Sequence, residues 1–162
     1  MKTISKRRRI EGRTDYHARL VLLKSGKPRI VFRKTNRYII AQIVSSKGAQ
    51  DEVISGLDSR ALVKYGWPKS YSIKSLPASY LLGFLLGKKA IEKFGKLEAI
   101  LDLGLLRSIA KSKEYAFLKG VADSGVSISC NEKMFPSEER ISGKHLSKGI
   151  DFKKIKEKIT ND

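Results

Sequence analysis

The feature that most constrains the fold is a long, apolar helical pattern over residues 79–94. Its first half is apolar on nearly every side, and its lysines gather in the last turns, where the helix dipole favours cations. Pro77 stands near its start and Gly95 just past its end, as is typical of helix termini. A helix without a polar face must be buried, so the chain needs a sheet to cover it. We expect Gly83 and Gly87 to let this helix pack closely against that sheet.

Short β-branched runs on both sides of this helix predict the sheet. Residues 29–33, 38–44 and 52–55 are joined by tight turns, which indicates a three-stranded antiparallel meander. Residues 98–103 and 126–128 are predicted strands that flank a helix, and short strand–helix–strand connections imply a parallel crossover. The sequence therefore predicts an α/β fold with a mixed sheet, an antiparallel meander followed by parallel β-α-β units, in the ribonuclease-H-like order.

Further helices are predicted around this sheet, over residues 13–24, 59–64 and 114–124, with an amphipathic helix over residues 151–159 and a single turn at 136–140. The length suits one ordinary domain, and the 41% of hydrophobic residues is enough for a core. The predicted organisation is a basic N-terminal tail (1–12), one α/β domain (13–150) and a C-terminal helical tail (151–162).

Positive charge is concentrated at the N-terminal end of the chain. There are 34 Lys and Arg against 16 Asp and Glu, a net charge of +18, and residues 1–38 hold 13 of these cations but only 2 acids. Such an excess favours a polyanionic partner. Residues 6–9 are four consecutive cations, which we expect to stay unstructured until they meet phosphate. A solvated tail or a localisation signal would explain this run, but only nucleic-acid binding also explains the cations that continue into the folded domain.

The predicted strand order is shared with ribonuclease-H-like nucleases, so catalysis is a hypothesis to test. Two-metal hydrolysis needs several carboxylates that converge from two strands and a helix. The first strand has Arg29 and Arg33 with no acid between them, and only Asp102 lies near the required place, with Glu92 a doubtful second. A lone carboxylate does not hold two metal ions, so we interpret Asp102 as a structural residue at a strand end.

No other pattern indicates an enzyme, a cofactor or a metal site. One cysteine allows neither a disulfide framework nor a Cys-based zinc site, and the two histidines lack spaced ligand residues. No apolar run reaches the roughly 18 residues of a membrane span, and no signal peptide is recognised. We therefore expect no catalytic residues, no metal, no cofactor and no membrane partner.

Several strings, in order along the chain, resemble a single family. RTDYHARL (13–20), LKSGKPR (23–29) and RKTNRY (33–38) closely resemble the archaeal type of large-subunit ribosomal protein number eighteen, a 5S rRNA-binding family. The resemblance covers roughly residues 6–150. It continues with AQIV (41–44), YGW (65–67), ASYLLG (78–83), LDLG (101–104), GVADSG (120–125) and RISGKH (140–145).

The resemblance implies a cytoplasmic, structural protein of the large ribosomal subunit. It implies binding to 5S rRNA and attachment of that RNA to the large-subunit (23S-type) rRNA in the central protuberance, beside the neighbouring 5S-binding protein of family five. No homo-oligomer is expected. A generic basic RNA-binding or RNA-chaperone module is the alternative, because charge and composition do not distinguish 5S rRNA from other polyanions.

Cationic and aromatic side chains form the predicted RNA-binding set, together with Asn36 in the turn after the first strand. Arginine bonds phosphate bidentately and stacks on bases, and aromatic side chains stack on unpaired bases. Two of the aromatic residues have a rival interpretation. Tyr38 is alternatively a core residue, and Trp67 is alternatively a packing plug. The set comprises Lys6, Arg7, Arg8, Arg9, Arg13, Tyr16, His17, Arg19, Lys24, Lys27, Arg29, Arg33, Lys34, Asn36, Arg37, Tyr38, Tyr65 and Trp67.

Overall fold

A five-stranded mixed sheet lies at the centre of the molecule, in a computed structural model that describes residues 4–48, 50–146 and 150–161. Its strands are β1 (Arg29–Lys34), β2 (Ile39–Lys47), β3 (Gln50–Asp58), β4 (Glu98–Asp102) and β5 (Ser127–Ile128). The order is β3-β2-β1-β4-β5, antiparallel from β3 to β1 and parallel from β1 to β5. The predicted α/β class and mixed sheet are confirmed.

Helices surround this sheet, and those that the sequence predicts begin close to their predicted positions. In the described part of the chain they are α1 (Arg7–Ile10), α2 (Tyr16–Lys24), α3 (Leu76–Phe94), α4 (Lys113–Asp123), α5 (Glu138–Ser142) and α6 (Phe152–Asn161), with 3₁₀ helices at Ser59–Tyr65 and Glu132–Met134. The first helix of the predicted domain starts three residues late, because the Asp15 carboxylate accepts hydrogen bonds from the backbone N–H groups of His17 and Ala18 and so caps α2. None of these helices is both long and apolar enough to cross a membrane.

The two faces of β1 have different roles, because successive strand residues point to opposite sides. Ile30 and Phe32 are fully buried in the core cluster, which they share with the apolar half of α3. Arg29, Val31 and Arg33 alternate with them and lie on the opposite face. This alternation places the arginines of β1 away from α3, on the side of the sheet that carries the candidate site.

The glycines of α3 pack against a helix, which corrects the expectation that they approach the sheet. A Cβ atom added to Gly83 would clash with the backbone carbonyl of Phe117 in α4, and one on Gly120 in α4 would clash with the carbonyl of Tyr80. The two helices therefore cross at backbone contact, which only glycine permits. The spacing of small residues indicates a close approach but does not say which element approaches.

The C-terminal helix α6 is joined to the body of the fold. Ile155 and Ile159 belong to the buried core, and Lys156 Nζ donates a hydrogen bond of 2.8 Å to the Tyr80 hydroxyl of α3. The helix predicted at residues 151–159 is thus present and packed. Residues 1–3, 49, 147–149 and 162 lie outside the described residues, so the predicted tails and the end of the predicted domain are seen only in part.

Candidate nucleic-acid interface

A cleft of about 690 Å³ lies between the N-terminal helices and the carboxyl ends of β1 and β4. One wall is α2 with the residues before it, and the other includes residues 101–106. Apolar side chains such as Val21 and Leu22 line part of it. Five predicted RNA-binding cations also line this cleft: Arg8, Arg13, Arg19, Arg33 and Lys34.

Arg29 supports this face of the sheet from the interior. Its side chain is only 3% exposed, and its guanidinium pairs with Asp102 and Asp51, each at 2.8 Å. Nη2 also donates to the Ser46 hydroxyl at 3.0 Å. A buried cation needs such partners. The burial removes Arg29 from the predicted set of direct RNA contacts, because its guanidinium is occupied by carboxylates.

Arg33 is held by the same carboxylate on the cleft side. Its Nη2 donates to Asp102 Oδ1 at 2.8 Å, and its Nη1 donates to the Asp102 carbonyl oxygen at 2.7 Å. The guanidinium lies against Gly104, where an added Cβ would come within 2.9 Å of Arg33 Cζ. Gly104 has φ +63°, and its N–H donates to Asp102 Oδ1 at 2.9 Å. Asp102 is therefore the structural strand-end residue that the sequence predicts.

Arg19 connects α2 to the edge strand β3. Its Nη2 donates to Asp51 Oδ2 at 2.7 Å, and the other oxygen of that carboxylate pairs with Arg29. Burial raises the pKa of Asp51, but the Ser46 hydroxyl and the two guanidinium groups outweigh it and hold the pKa below its usual 3.8. The ion pairs run in the order Arg19–Asp51–Arg29–Asp102–Arg33, which we call the arginine–aspartate chain. This chain fixes two cleft cations and retains a net charge of +1.

The basic N-terminal segment, described from residue 4 onward, contains local structure. Helix α1 forms one turn within it, and its side-chain contacts join residues close in sequence. Arg7 pairs with Glu11 at 3.4 Å, and Arg8 Nε donates to the Thr14 hydroxyl at 3.0 Å. Arg9 is exposed. These cations remain accessible to phosphate.

The turn between β1 and β2 presents two more predicted residues on a rigid loop. The Thr35 hydroxyl donates to the Tyr38 carbonyl oxygen at 2.7 Å and accepts from the Tyr38 N–H at 3.0 Å. Asn36 and Arg37 lie exposed between these two residues. The turn therefore fixes the backbone of Arg37 three residues beyond the cleft cation Lys34.

Lys24 and Lys27 lie at the connection from α2 to β1. Lys24 is exposed, whereas Lys27 Nζ pairs with the Glu98 carboxylate of β4. Both side chains of this pair are well exposed, and exposed pairs are weak. Lys27 can therefore exchange Glu98 for a phosphate at little energetic cost.

The predicted stacking residues of the first 38 positions lie at or near the surface. Tyr16 is half-buried with Lys6 Nζ 4.5 Å from its ring centroid, and His17 is exposed. Tyr38 is half-buried, and the Arg60 guanidinium covers its ring at 4.6 Å. A base that stacks on Tyr38 would have to displace Arg60.

Trp67 does not lie on the surface. It is 2% exposed in the core, and its Nε1 donates to the Tyr71 carbonyl oxygen at 3.3 Å. The structure thus favours the packing-plug interpretation and corrects the predicted stacking role of Trp67. Tyr65 is half-buried and packs against the same core.

Sequence reasoning missed Asp51, Lys74 and Lys113. Asp51 lies before the predicted third strand, and its pairing with Arg29 depends on a register that spacing does not reveal. Lys74 Nζ donates to the Asn36 carbonyl oxygen at 2.8 Å, although 38 positions separate the two residues. Nothing in the local pattern around either lysine distinguishes it from an ordinary solvated cation.

Within residues 4–48, 50–146 and 150–161, no group of three or more His, Cys, Asp or Glu side chains lies close enough together to hold a metal ion. The cations that line the cleft present guanidinium and ammonium groups, which bind anions.

The fold and the cleft define a class: a basic α/β domain with a cation-lined cleft on one side of its sheet. Residues 2–98 match the family model described as "Ribosomal large subunit proteins 60S L5, and 50S L18". The chain belongs to this family of large-subunit ribosomal proteins, as its sequence strings predict. It is accordingly a structural constituent of the large ribosomal subunit and not an enzyme.

Three relatives share most of the chain, each named large ribosomal subunit protein uL18. The one from Korarchaeum cryptofilum is 52% identical over 141 residues, 87% of this chain and 71% of the relative. The one from Methanococcoides burtonii is 42% identical over 160 residues, 94% and 91% of the two chains. The one from Caldivirga maquilingensis is 42% identical over 142 residues, 87% and 67%.

Proposed function

We propose that this protein binds 5S rRNA through the cleft and the β1–β2 turn. We further propose that it helps to attach this RNA to the large-subunit rRNA in the central protuberance, beside the neighbouring 5S-binding protein of family five. The observation that supports the proposal is the cleft itself, in which cations from α1, α2 and β1 line one concave surface.

The arginine–aspartate chain supports recognition of a particular RNA shape. Arg19 and Arg33 are positioned by carboxylates before any RNA arrives, so little side-chain entropy is lost on binding. Their spacing is set by the sheet and by α2, and it therefore matches only some arrangements of phosphates. Apolar residues beside the cations give the cleft a surface for bases as well as for the backbone.

The N-terminal cations outside the cleft support the second part of the proposal. Arg8 lines the cleft, whereas its neighbours Arg7 and Arg9 do not. Two cations on the same helical turn are therefore left for another phosphate backbone. Large-subunit rRNA is the partner we assign to them.

Competition binding tests the proposal. Labelled 5S rRNA is bound to the full chain and displaced by unlabelled 5S rRNA, by transfer RNA or by an unrelated structured RNA of equal length. We expect 5S rRNA to compete at the lowest concentration at every salt concentration used. Equal competition by the three RNAs would instead indicate a generic basic RNA-binding or chaperone module.

A second arm of this experiment tests which cations discriminate between RNAs. Replacing Arg33, Lys34 and Arg37 with Gln should lower the ratio of 5S to unrelated-RNA affinity, because base and shape recognition need fixed groups. The matched control removes three exposed charges elsewhere, with Gln at positions 89, 96 and 144 in place of lysine. The control should leave this affinity ratio unchanged. If the variant at Arg33, Lys34 and Arg37 also left it unchanged, these three cations would contribute only non-specific electrostatic attraction.

A further inference from the structure

An aromatic contact brings the first turn of α4 beside the end of β1. The rings of Phe32 in β1 and Phe117 in α4 lie 5.1 Å apart, centroid to centroid. Lys34 follows Phe32 by two residues on the same strand face, and Lys113 precedes Phe117 by one helical turn on the same helix face. Because β4 runs parallel to β1, the connection to α4 leaves from the edge of the sheet where β1 ends. Lys34 and Lys113 therefore extend past the aromatic contact at the same edge.

A third lysine joins them from the segment before α3. Lys74 Nζ donates to the carbonyl oxygen of Asn36, which lies two residues beyond Lys34 in the β1–β2 turn. The three lysines come from a strand end, a loop and a helix start that are far apart in sequence. We call them the lysine cluster.

The electrostatics of the lysine cluster are unfavourable in the free protein. Lys113 is the first residue of α4, where the positive end of the helix dipole disfavours a cation. Burial lowers the pKa of Lys113, and the charges of Lys34 and Lys74 lower it further, while Glu114 opposes them. Like charges held together on rigid elements destabilise a fold unless an anion neutralises them.

We propose that Lys34, Lys74 and Lys113 form a binding site for one backbone phosphate of the RNA, an inference that rests on the function proposed above. The site would extend the RNA interface from the cleft around the end of β1 to α4. It would involve the second half of the chain, in which the sequence predicts no RNA-binding residue. The chemistry recognised is a tetrahedral phosphate, whether in an RNA backbone or free in solution.

The salt dependence of 5S rRNA binding tests the RNA source. Replacing Lys74 and Lys113 with Gln should flatten the slope of log affinity against log salt by about 0.7–0.9 units, the value for one phosphate contact. The matched control, Lys89→Gln with Lys119→Gln, removes the same charge from α3 and from the far end of α4. A slope for the Lys74/Lys113 variant equal to that of the control would overturn the proposal.

Thermal unfolding without RNA gives a second readout. At low salt the Lys113→Gln variant should unfold at a higher temperature than the wild type, because it relieves like-charge repulsion. Added inorganic phosphate should raise the midpoint of the wild type more than that of the variant. Protection by phosphate with no change in the RNA slope would assign the site to free phosphate and overturn the RNA role.

Different results would contradict the proposed function and the proposed phosphate site. Equal affinity for 5S rRNA and unrelated RNA would contradict the proposed function, while a flatter slope of the Lys74/Lys113 variant on both RNAs would still support the phosphate site. A clear 5S preference with no response of slope or midpoint to these substitutions would overturn the site alone.

Discussion

Arginine occurs in two very different surroundings in this molecule. In the sheet, Arg29 is 3% exposed, and both of its carboxylate partners are more than 20 positions away in the sequence. In the N-terminal segment, Arg7 is 83% exposed, and among the described residues its ion pair is with Glu11, one helical turn further on. The first arginine connects β1 to β3 and β4. The second pairs within its own turn.

The difference teaches how a chain of net charge +18 can use one residue type for both folding and binding. A buried guanidinium with carboxylate partners stabilises the fold. Exposed guanidinium groups with weak local partners are accessible to phosphate. Arg19 and Arg33 lie between these extremes, since each is anchored by an aspartate and still lines the cleft. Removing an anchor should therefore affect folding, and removing an exposed cation should affect only binding.

The largest effect should come from Asp102, which holds two arginines at once. Replacing Asp102 with Ala leaves Arg29 buried with only Asp51 as a carboxylate partner and also frees Arg33. Breaking a buried ion pair costs about 3–5 kcal/mol, and we expect a loss of that size in the free energy of unfolding. Urea denaturation followed by circular dichroism measures it.

The control for this substitution is Asp151→Ala. Asp151 pairs with Lys154 at 3.3 Å, with both side chains 75% exposed, so its removal should cost less than about 1 kcal/mol. If the two variants lost equal stability, Arg29 would not depend on its carboxylates, and the distinction between anchoring and exposed arginines would be wrong.

These anchors also show where sequence reasoning stops. The sequence predicts every strand and long helix near its observed place, because alternating β-branched residues and helix-terminal glycines and prolines are local signals. It also predicts that Asp102 is structural. It does not predict that Arg29 is buried. The local sequence around a strand cation is the same whether or not a carboxylate from β3 reaches it across β2.

The sequence predicts five cations of the cleft as RNA-binding residues, but it does not predict the cleft itself. Nothing in the spacing of these residues shows that α1 and α2 lie against the end of β1. The same limit applies to the glycines of α3, whose partner proved to be a helix. Contacts between distant segments require the register and the packing, which a single sequence does not contain.

A smaller effect, and one that depends on pH, should come from Asp51. Its pKa is lowered in the folded protein, so its contribution to stability is present above the pKa of the unfolded chain, near 3.9, and is lost as the pH falls through the lower folded value. Replacing Asp51 with Asn should reduce the free energy of unfolding by about 1–2 kcal/mol at pH 7. The difference from wild type should shrink as the pH falls below 4.

Urea denaturation at pH 7, 5 and 3.5 measures this difference. The neighbouring substitution Glu52→Gln serves as the control, since Glu52 is exposed on the same strand and should alter stability little at any of these values. A difference between Asp51→Asn and wild type that stayed constant across the series would mean that the carboxylate charge does not stabilise the fold.

The smallest effect on folding should follow removal of residues 1–12, the segment that carries the exposed arginines. Ile4 and Ile10 are 91% and 72% exposed, so the described part of the segment, residues 4–12, buries no apolar side chain in the core. We expect the free energy of unfolding to change by less than about 0.5 kcal/mol, as for surface substitutions. RNA binding should respond strongly, because the truncation removes Lys2, Lys6, Arg7, Arg8 and Arg9 and only one acid, Glu11.

Arg7 and Arg9 are assigned to large-subunit rRNA, which leaves three cations of the segment for 5S rRNA. The slope of log affinity for 5S rRNA against log salt should therefore flatten by roughly 2 to 3 units, at about 0.7–0.9 per phosphate. A full-length variant with Gln in place of Lys6, Arg7, Arg8 and Arg9 separates the loss of charge from the loss of α1, and it should reproduce most of the change. An unchanged slope in both variants would show that the segment does not touch 5S rRNA in the binary complex. Its cations would then belong to the contact with large-subunit rRNA or a neighbouring protein, and the cations of residues 13–37 would account for 5S recognition by themselves.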